Sequence, residues 1–166
     1  MKKPLVITTF GLGHLRPAPG TWGSLPPVGL AAALIWSGHG PAESWWLYHG
    51  LLLGVLVFFS FACLLQGDAA EVAFGRKDPS QAVADETAAQ CMPLMFLPSA
   101  ALASNASIAL TLALAFVAFR VMDIIKPWPA RQLQKVPGGL GILIDDLFAG
   151  AYAWLIVQGA ALLAGH

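Results

Sequence analysis

Uncharged apolar runs alternate with short charged segments along this chain. The clearest run extends from Trp45 to Gln66, about 22 residues without a charge, and the next clearest from Leu147 to His166. About 20 apolar residues in a helix cross the hydrocarbon core of a bilayer. Both runs are therefore predicted to be transmembrane helices.

Two other regions are less regular. Thr87 to Phe119 has no charge in 33 residues, which as one helix would be about 50 Å long, beyond a bilayer core of about 30 Å. We expect two shorter segments, separated near Pro93, Pro98 or the polar Ser104–Ser107 stretch. Leu25–Trp36 is apolar but short, and its two prolines suit a helix start. It is predicted to be either a full span or a re-entrant hairpin.

Composition agrees with a membrane protein. Hydrophobic residues make up 57% of the chain and charged residues 11%, against about 25% charged in a soluble domain. The expected fold is all-α, a single domain over residues 1–166 that forms an integral membrane bundle of about four to five apolar helices. A net charge of zero gives no indication of a nucleic-acid partner, and no protein partner is inferred. Cys63 and Cys91 are expected to be buried, reduced thiols.

The charges are distributed asymmetrically when five segments are threaded alternately through a bilayer. Every basic residue falls on one side: Lys2, Lys3, Arg16, Arg76, Lys77, Arg120, Lys126, Arg131 and Lys135. Every acidic residue except Glu43 falls there too. Because cytoplasmic loops collect Lys and Arg, this face is predicted to be cytoplasmic and the C-terminus to lie outside. Four spans instead of five would reverse the side of the C-terminus.

Two pairs of adjacent carboxylates lie on this charged face. Asp85–Glu86 and Asp145–Asp146 each stand at the predicted start of an uncharged segment. Neighbouring carboxylates repel, and removing either from water costs several kcal/mol unless a cation compensates. Mg²⁺ prefers such oxygen ligands and commonly shares them with a substrate phosphate. The alternative for Asp145 and Asp146 is an N-cap with favourable helix-dipole placement, which explains one aspartate better than two.

Basic residues accompany the acids in the stretch FRVMDIIKPWPARQLQKVPGGLGIL. Arg120 and Asp123 share a helix face at three-residue spacing, and Lys126 follows just before two prolines that end the helix. Arg131 comes next, and the GGLG segment is expected to turn the backbone towards Asp145. Arg offers phosphate a bidentate fork and Lys a point charge. Contact with lipid head groups at large is the alternative for these cations.

A third stretch, FGLGHLRPAPGTWGS, covers Phe10 to Ser24. Its glycines and prolines predict a constrained loop, and Thr21 and Ser24 are expected to be N-caps ahead of the first apolar segment. Amide groups at a helix start can bind an anion. The spacing matches neither a dinucleotide fingerprint nor a P-loop.

Together these stretches resemble the signature blocks of bacterial phosphatidylglycerophosphatase A. FGLGHLRPAPGTWGSL, the DE pair, FRVMDIIKPWPARQL and GGLGILIDDLFAG follow that family's order and spacing from about Phe10 to Gly150. The resemblance implies a Mg²⁺-dependent phosphatase of the bacterial inner membrane, multi-pass, with its site facing the cytoplasm. Its implied substrate is phosphatidylglycerophosphate in the bilayer, hydrolysed to phosphatidylglycerol and inorganic phosphate in phospholipid biosynthesis. Arg16 stands where the family is expected to have proline, so no family role is carried over to it.

The resemblance also implies roles for single residues. The acidic motif positions, expected to be catalytic, are Asp85, Glu86, Asp123, Asp145 and Asp146. The expected metal ligands are Asp85, Glu86, Asp145 and Asp146. The residues expected to bind the substrate phosphate are Arg120, Lys126, Arg131 and Thr21.

The expected chemistry is metal-assisted transfer of a phosphoryl group to water, in which charge stabilisation supplies most of the acceleration. Asp123 or Glu86 is expected to activate the water, and a phosphoaspartyl intermediate is an alternative. Two other classes of protein stay open. A Mg²⁺-dependent phosphatidyltransferase should show an Asp-Gly, Ala-Arg and Asp-x-x-x-Asp pattern, which this chain lacks. A membrane cation carrier should place carboxylates nearer the bilayer centre.

Overall fold

A computed structural model describes residues 5–164, and within that range the protein is all-helical without a strand. Its α-helices are α1 (Pro19–Trp36), α2 (Trp45–Phe74), α3 (Ala84–Ala89), α4 (Asn105–Ile125), α5 (Ala130–Leu133) and α6 (Gly138–Leu163). Short 3-10 turns cover Leu12–His14, Met92–Leu94 and Ser99–Leu102. The all-α prediction is confirmed. Lys2 and Lys3 of the predicted basic face lie outside the described residues.

Three of these helices, α2, α4 and α6, are long and apolar enough to cross a membrane. Large apolar side chains on them face outward; Leu65 is 80% exposed and Leu110 71%. An outer surface of this kind suits lipid contact, because so much exposed apolar area is unusual in water. The protein is therefore a helical membrane protein. Cys63 and Cys91 are both buried free thiols, as predicted.

Both predicted spans are longer as helices than their uncharged runs. α2 continues from Gln66 to Phe74, and α6 begins at Gly138, nine residues before Leu147. At 1.5 Å per residue the 26 residues of α6 extend about 39 Å, roughly 9 Å more than a bilayer core. This surplus lets the first turns of α6 project beyond the hydrocarbon. Charged residues can then stand within the helix and still lie close to the membrane boundary.

The region from Ala84 to Leu102 does not form the predicted additional spanning helix. It consists of the six-residue α3 and two 3-10 turns. Its polar groups find partners inside the bundle: the Tyr48 hydroxyl donates to the Leu94 carbonyl at 3.0 Å, and the Phe96 amide donates to His49 Nε2 at 3.2 Å. Irregular backbone is tolerated at membrane depth only where protein covers it in this way.

The predicted break between this region and α4 is confirmed at the Ser104–Ser107 stretch. Ser104 caps α4, since its Oγ accepts from the Ser107 amide at 3.1 Å and the Ser104 amide donates to Ser107 Oγ at 2.9 Å. This reciprocal pair satisfies two amides at the helix start. α4 therefore begins as a single, well-defined spanning helix.

α1 begins at Pro19, six residues before the predicted start, and contains Pro26 and Pro27 in its interior. Proline suits the first helical position, so Pro19 and not the later pair marks the start. Pro27 has no N–H for the Gly23 carbonyl four residues earlier. The Thr87 hydroxyl donates to that carbonyl instead, at 2.7 Å. The Gly23 carbonyl that Pro27 leaves free therefore connects α1 to α3.

α6 contacts α2 and α3 through glycines. Gly139 lies against α2 so closely that a Cβ on it would overlap the carbonyl of Cys63, and a Cβ on Gly150 would lie 2.7 Å from the Ala89 carbonyl of α3. Glycine permits such backbone contact between membrane helices. The two contacts lie on either side of the Asp145–Asp146 pair along α6.

The GGLG segment is the first turn of α6 and not the tight backbone turn that the sequence predicts. Gly138 alone in it has a positive φ, 73°, while Gly139 and Gly141 are buried in backbone contacts. The prediction was wrong because the glycines here provide close helix packing rather than a tight turn.

The close packing of Gly139 predicts a matched pair of variants in α6. We expect Gly139→Ala to lower the melting temperature, because overpacking typically costs about 1–3 kcal/mol. Gly159→Ala is the control, since among the described residues no atom beyond its own chain neighbours and helix backbone lies within 4 Å of the added Cβ, and alanine favours a helix by about 1 kcal/mol. Thermal unfolding of the detergent-purified protein measures both. Equal melting temperatures for the two variants would contradict this account of the α2–α6 contact.

Candidate functional site

The charged ends of α3, α4 and α6 meet at one end of the bundle. The Ile7 carbonyl accepts from the amides of Val83 and Ala84, at 2.9 and 3.1 Å, and so holds the start of α3 in place. The acidic cluster formed there contains two residues from α3, one from α4 and two from α6: Asp85, Glu86, Asp123, Asp145 and Asp146. The structure thus brings together all five acidic residues that the sequence singled out.

These carboxylates are withdrawn from solvent. Asp145 and Asp146 are each 2% exposed, Asp85 5% and Asp123 8%, and the side chain of Glu86 is 14% exposed. Buried carboxylates are costly unless cations or donors compensate them. The partners of this cluster are therefore decisive for its properties.

Arg120 is the first compensating cation. Its Nη1 lies 3.1 Å from Asp123 Oδ2 and 3.9 Å from Glu86 Oε1, and it donates to Ser24 Oγ at 3.3 Å. The contact with Asp123 confirms that these two residues share one face of α4. Ser24 is buried inside α1 and not at its N-cap, so the hydroxyl serves to hold the guanidinium in place.

Lys126 is the second cation and contacts three acids. It donates to Asp145 Oδ2, and its Nζ lies 3.8 Å from Asp123 Oδ1 and 4.0 Å from Asp146 Oδ1. Lys126 ends α4 in the left-handed conformation, with φ 47°, which residues with a side chain rarely adopt. Burial alone would lower its pKa, but the carboxylates of Asp146, Asp145 and Asp123 outweigh burial and hold the pKa above its usual value. Lys126 is therefore a charged, fixed part of the site.

The two carboxyls of α3 are undercompensated. Burial, followed by the charges of Glu86 and Asp146, raises the pKa of Asp85 well above its ordinary value. Burial also raises the pKa of Glu86 to about 7, although Arg120 acts in the opposite direction. Both shifts show that additional positive charge would stabilise the ionised form.

A divalent cation fits this arrangement. Oxygens of Asp85, Glu86 and Asp146 lie within 4.8 Å of one another. Four buried carboxylate oxygens lack a hydrogen-bond partner within the described part of the chain: Asp85 Oδ1, Glu86 Oε2, Asp145 Oδ1 and Asp146 Oδ2. Four of the five carboxylates contact two cations, Arg120 and Lys126, and Asp85 contacts neither of them. Unpartnered hard oxygens with an excess of negative charge are the donor set that Mg²⁺ prefers.

A cavity of about 300 Å³ opens beside these oxygens. Four acids of the cluster (Asp85, Glu86, Asp123 and Asp146) and Lys126 line it, together with Asp78 and Ser80, neither of which was predicted as a site residue. Asp78 accepts from Gln134 Nε2 at 3.1 Å. Its only sequence signal was an Asp-Pro turn, which does not indicate a site. We refer to the cavity beside the cluster as the acidic cavity.

Two sequence predictions for this region differ from the structure, the N-cap positions of the Asp145–Asp146 pair and of Thr21. Asp145 and Asp146 lie within α6, whose N-cap is Pro137, so neither caps the helix. Arg131 is exposed in α5 and forms no ion pair with residues 5–164. Thr21 lies in the first turn of α1 and not at its N-cap. Its neighbour Gly20 instead approaches the cluster, since a Cβ there would lie 2.8 Å from Arg120 Nη2.

Comparisons with known proteins agree on one family. A sequence profile described as phosphatidylglycerophosphatase A matches residues 5–161. Proteins named phosphatidylglycerophosphatase A match in Haemophilus influenzae, with 34% identity over 92% of this chain and 85% of that protein, and in Escherichia coli, with 30% identity over 98% and 83%. A Bacteroides thetaiotaomicron protein provisionally named phosphatidylinositol-3-phosphatase is 32% identical over 99% of this chain and 100% of its own length. No solved structure gives a significant match.

Lys126 provides a test of charge compensation in the cluster. We expect Lys126→Gln to destabilise the fold by on the order of 2 kcal/mol, because it leaves buried carboxylates without their cation. The exposed Lys135→Gln is the control, since Lys135 forms no ion pair with the described residues. Melting temperatures are measured in detergent with a chelator present. If both variants melt with the wild type, the cluster does not depend on Lys126 for its stability.

Proposed function

The chain belongs to the phosphatidylglycerophosphatase A family, and on that basis we propose how its acidic cluster hydrolyses the terminal phosphate of phosphatidylglycerophosphate. The products are phosphatidylglycerol and inorganic phosphate, so the protein is a phosphoric monoester hydrolase acting on a membrane lipid. The names of the three relatives agree on a phosphomonoester of a phosphatidyl lipid and differ in the head group. The family profile and two of those names favour phosphatidylglycerophosphate.

This function rests on one observation: carboxylate oxygens without a hydrogen-bond partner among the described residues lie close to two fixed cations, beside a cavity. Lys126 lines the acidic cavity and is placed to neutralise the outer oxygens of a phosphate there, while Arg120 compensates the neighbouring Asp123 and Glu86. Asp123 contacts both cations, at 3.1 and 3.8 Å, and so holds them in position. Arg131 and Thr21 stay predictions from the family resemblance alone.

We propose that Asp85, Glu86 and Asp146 hold Mg²⁺, and that Asp145 supports them from its bond with Lys126. When bound, the ion would supply charge stabilisation to the phosphate oxygens in the transition state. The three carboxylates come from two helices, and the Gly150–Ala89 contact sets the distance between those helices. The ligand arrangement is thus built by backbone packing.

Water is the second substrate, and its oxygen forms a bond to phosphorus as the bond between phosphorus and the lipid oxygen breaks. A carboxylate takes the proton of the attacking water, and the departing lipid oxygen takes up a proton. Glu86 suits the first role better than Asp123, because both oxygens of Asp123 already contact cations while Glu86 Oε2 has no partner among the described residues. A covalent phosphoaspartyl route is the alternative and requires attack by an aspartate oxygen on phosphorus.

The site occupies the helix ends, which is where the phosphates of membrane lipids lie. We propose that the protein is in the bacterial inner membrane with this end towards the cytoplasm, because the basic residues of the loops gather there. The same placement argues against a cation carrier, whose carboxylates should lie near the midplane.

Phosphate release from phosphatidylglycerophosphate in detergent micelles tests the reaction. We expect wild-type protein to release phosphate only with Mg²⁺, and Asp146→Asn to lose activity by at least about 100-fold, because a lost charge-stabilising group typically costs that much. Asp68→Asn is the matched control, an exposed aspartate on α2, and should keep wild-type activity. A folded wild-type protein that releases no phosphate would refute the proposed reaction.

Metal binding has a separate readout in thermal stability. We expect Mg²⁺ to raise the melting temperature of the wild type, because it compensates buried carboxylates and binds only the folded protein. Asp146→Asn should lose that increase, and Asp68→Asn should retain it. An Asp146→Asn protein that is stabilised as much as the wild type would exclude Asp146 as a ligand.

A further inference from the structure

A second polar cleft adjoins the acidic cavity. It has a volume of about 320 Å³, and its lining includes His14 and Arg16 from the N-terminal loop and Ser80 and Gln81 from the segment before α3. Ser80 lines both spaces. Gln81 of the cleft is also directly followed by Ala82 of the acidic cavity. The two spaces therefore lie next to each other at Ser80.

The cleft has the opposite charge character to the acidic cavity. No carboxylate lines it, and within residues 5–164 no carboxylate forms an ion pair with Arg16. Arg16 and His14 are exposed, so their polar groups are accessible to a ligand. A guanidinium without a protein partner suits an anion, and in particular a phosphate.

Gln81 adds a group that requires a donor. Its Oε1 is buried and has no hydrogen-bond partner among the described residues. A buried acceptor without a partner is costly and rare in folded proteins. Gln81 also lines the cleft, so a rotation of its side chain would present Oε1 to the hydroxyl of a ligand there.

The two walls of the cleft are in direct backbone contact. A Cβ on Gly13 would overlap the carbonyl oxygen of Gln81, so the loop that carries His14 and Arg16 lies directly on the segment that carries Ser80 and Gln81. The 3-10 turn Leu12–His14 closes with a bond from the Leu15 amide to the Leu12 carbonyl, at 3.0 Å. The walls of the cleft are thus held together by contacts within the protein, before any ligand binds.

We propose that this cleft, defined by His14, Arg16, Ser80 and Gln81, binds the second phosphate and the free hydroxyl of the substrate head group. The proposal rests on the proposed function. In phosphatidylglycerophosphate a three-carbon bridge with one free hydroxyl joins the terminal phosphomonoester to a phosphodiester. With the monoester in the acidic cavity, the bridge passes Ser80, its hydroxyl donates to Gln81 Oε1, and the phosphodiester meets Arg16. Phosphatidate has one phosphate and no bridge, so it leaves the cleft empty.

Arg16→Gln tests the phosphate contact in steady-state kinetics on phosphatidylglycerophosphate. We expect KM to rise about tenfold, as for the loss of a hydrogen bond to a charged group, with kcat nearly unchanged. Arg16→Lys should recover part of the loss because it keeps the charge. The control is Arg76→Gln, which removes an exposed cation outside both spaces and should leave KM within about twofold, as ordinary surface substitutions do.

Steady-state kinetics on phosphatidate form the second part of this test. The wild type should use it with a higher KM or not measurably, and Arg16→Gln should not worsen its use. Equal KM changes in Arg16→Gln and Arg76→Gln, a loss confined to kcat, or equal wild-type use of both lipids would overturn the cleft assignment. A wild type that releases phosphate from neither lipid would instead overturn the proposed function, and the cleft assignment with it.

Discussion

An excess of buried negative charge at one end of a helical bundle is the constraint on which this structure depends. Five carboxylates and two cations meet there, and four carboxylate oxygens have no partner among the described residues. Desolvation makes each uncompensated charge costly, so such a cluster persists only where the surrounding packing holds it in place. The helix contacts around the cluster provide that packing. The same electrostatic imbalance that strains the free protein favours binding of a cation.

The packing around the cluster uses backbone contacts more than side-chain interlocking. Gly139 and Gly150 bring α6 against α2 and α3, and the Thr87 hydroxyl takes over the Gly23 carbonyl that Pro27 cannot serve. Each of these contacts restricts a helix movement that would let the acids separate. Membrane helices gain little from hydrophobic association within lipid, so close packing and buried hydrogen bonds supply the needed specificity. In this molecule those two forces act where the charges are.

The all-α membrane fold could be predicted from hydropathy, and the cluster from adjacent acids, because both are local properties of the sequence. Helix ends could not. Charges at Asp68 and Asp146 marked the edges of the apolar runs, yet both lie inside helices that continue past those runs. Pro26 and Pro27 were expected to start α1 but lie in its interior, where a bond from Thr87 compensates the helical bond that Pro27 removes. Asp78 and Ser80 were missed, and Ser24 was expected at an N-cap, since a hydroxyl or carboxylate in a turn or helix has no periodic signature of function.

In the proposed mechanism, the residues of the reaction and those of head-group choice differ in burial. Lys126 and the acids are embedded in mutual contacts, so a change there should affect stability together with the proposed catalysis. Arg16 is exposed and unpaired within residues 5–164, and a substitution there should cost at most about 0.5 kcal/mol in folding. An exposed loop beside a buried reaction centre can therefore change its preference among lipid head groups without weakening the fold.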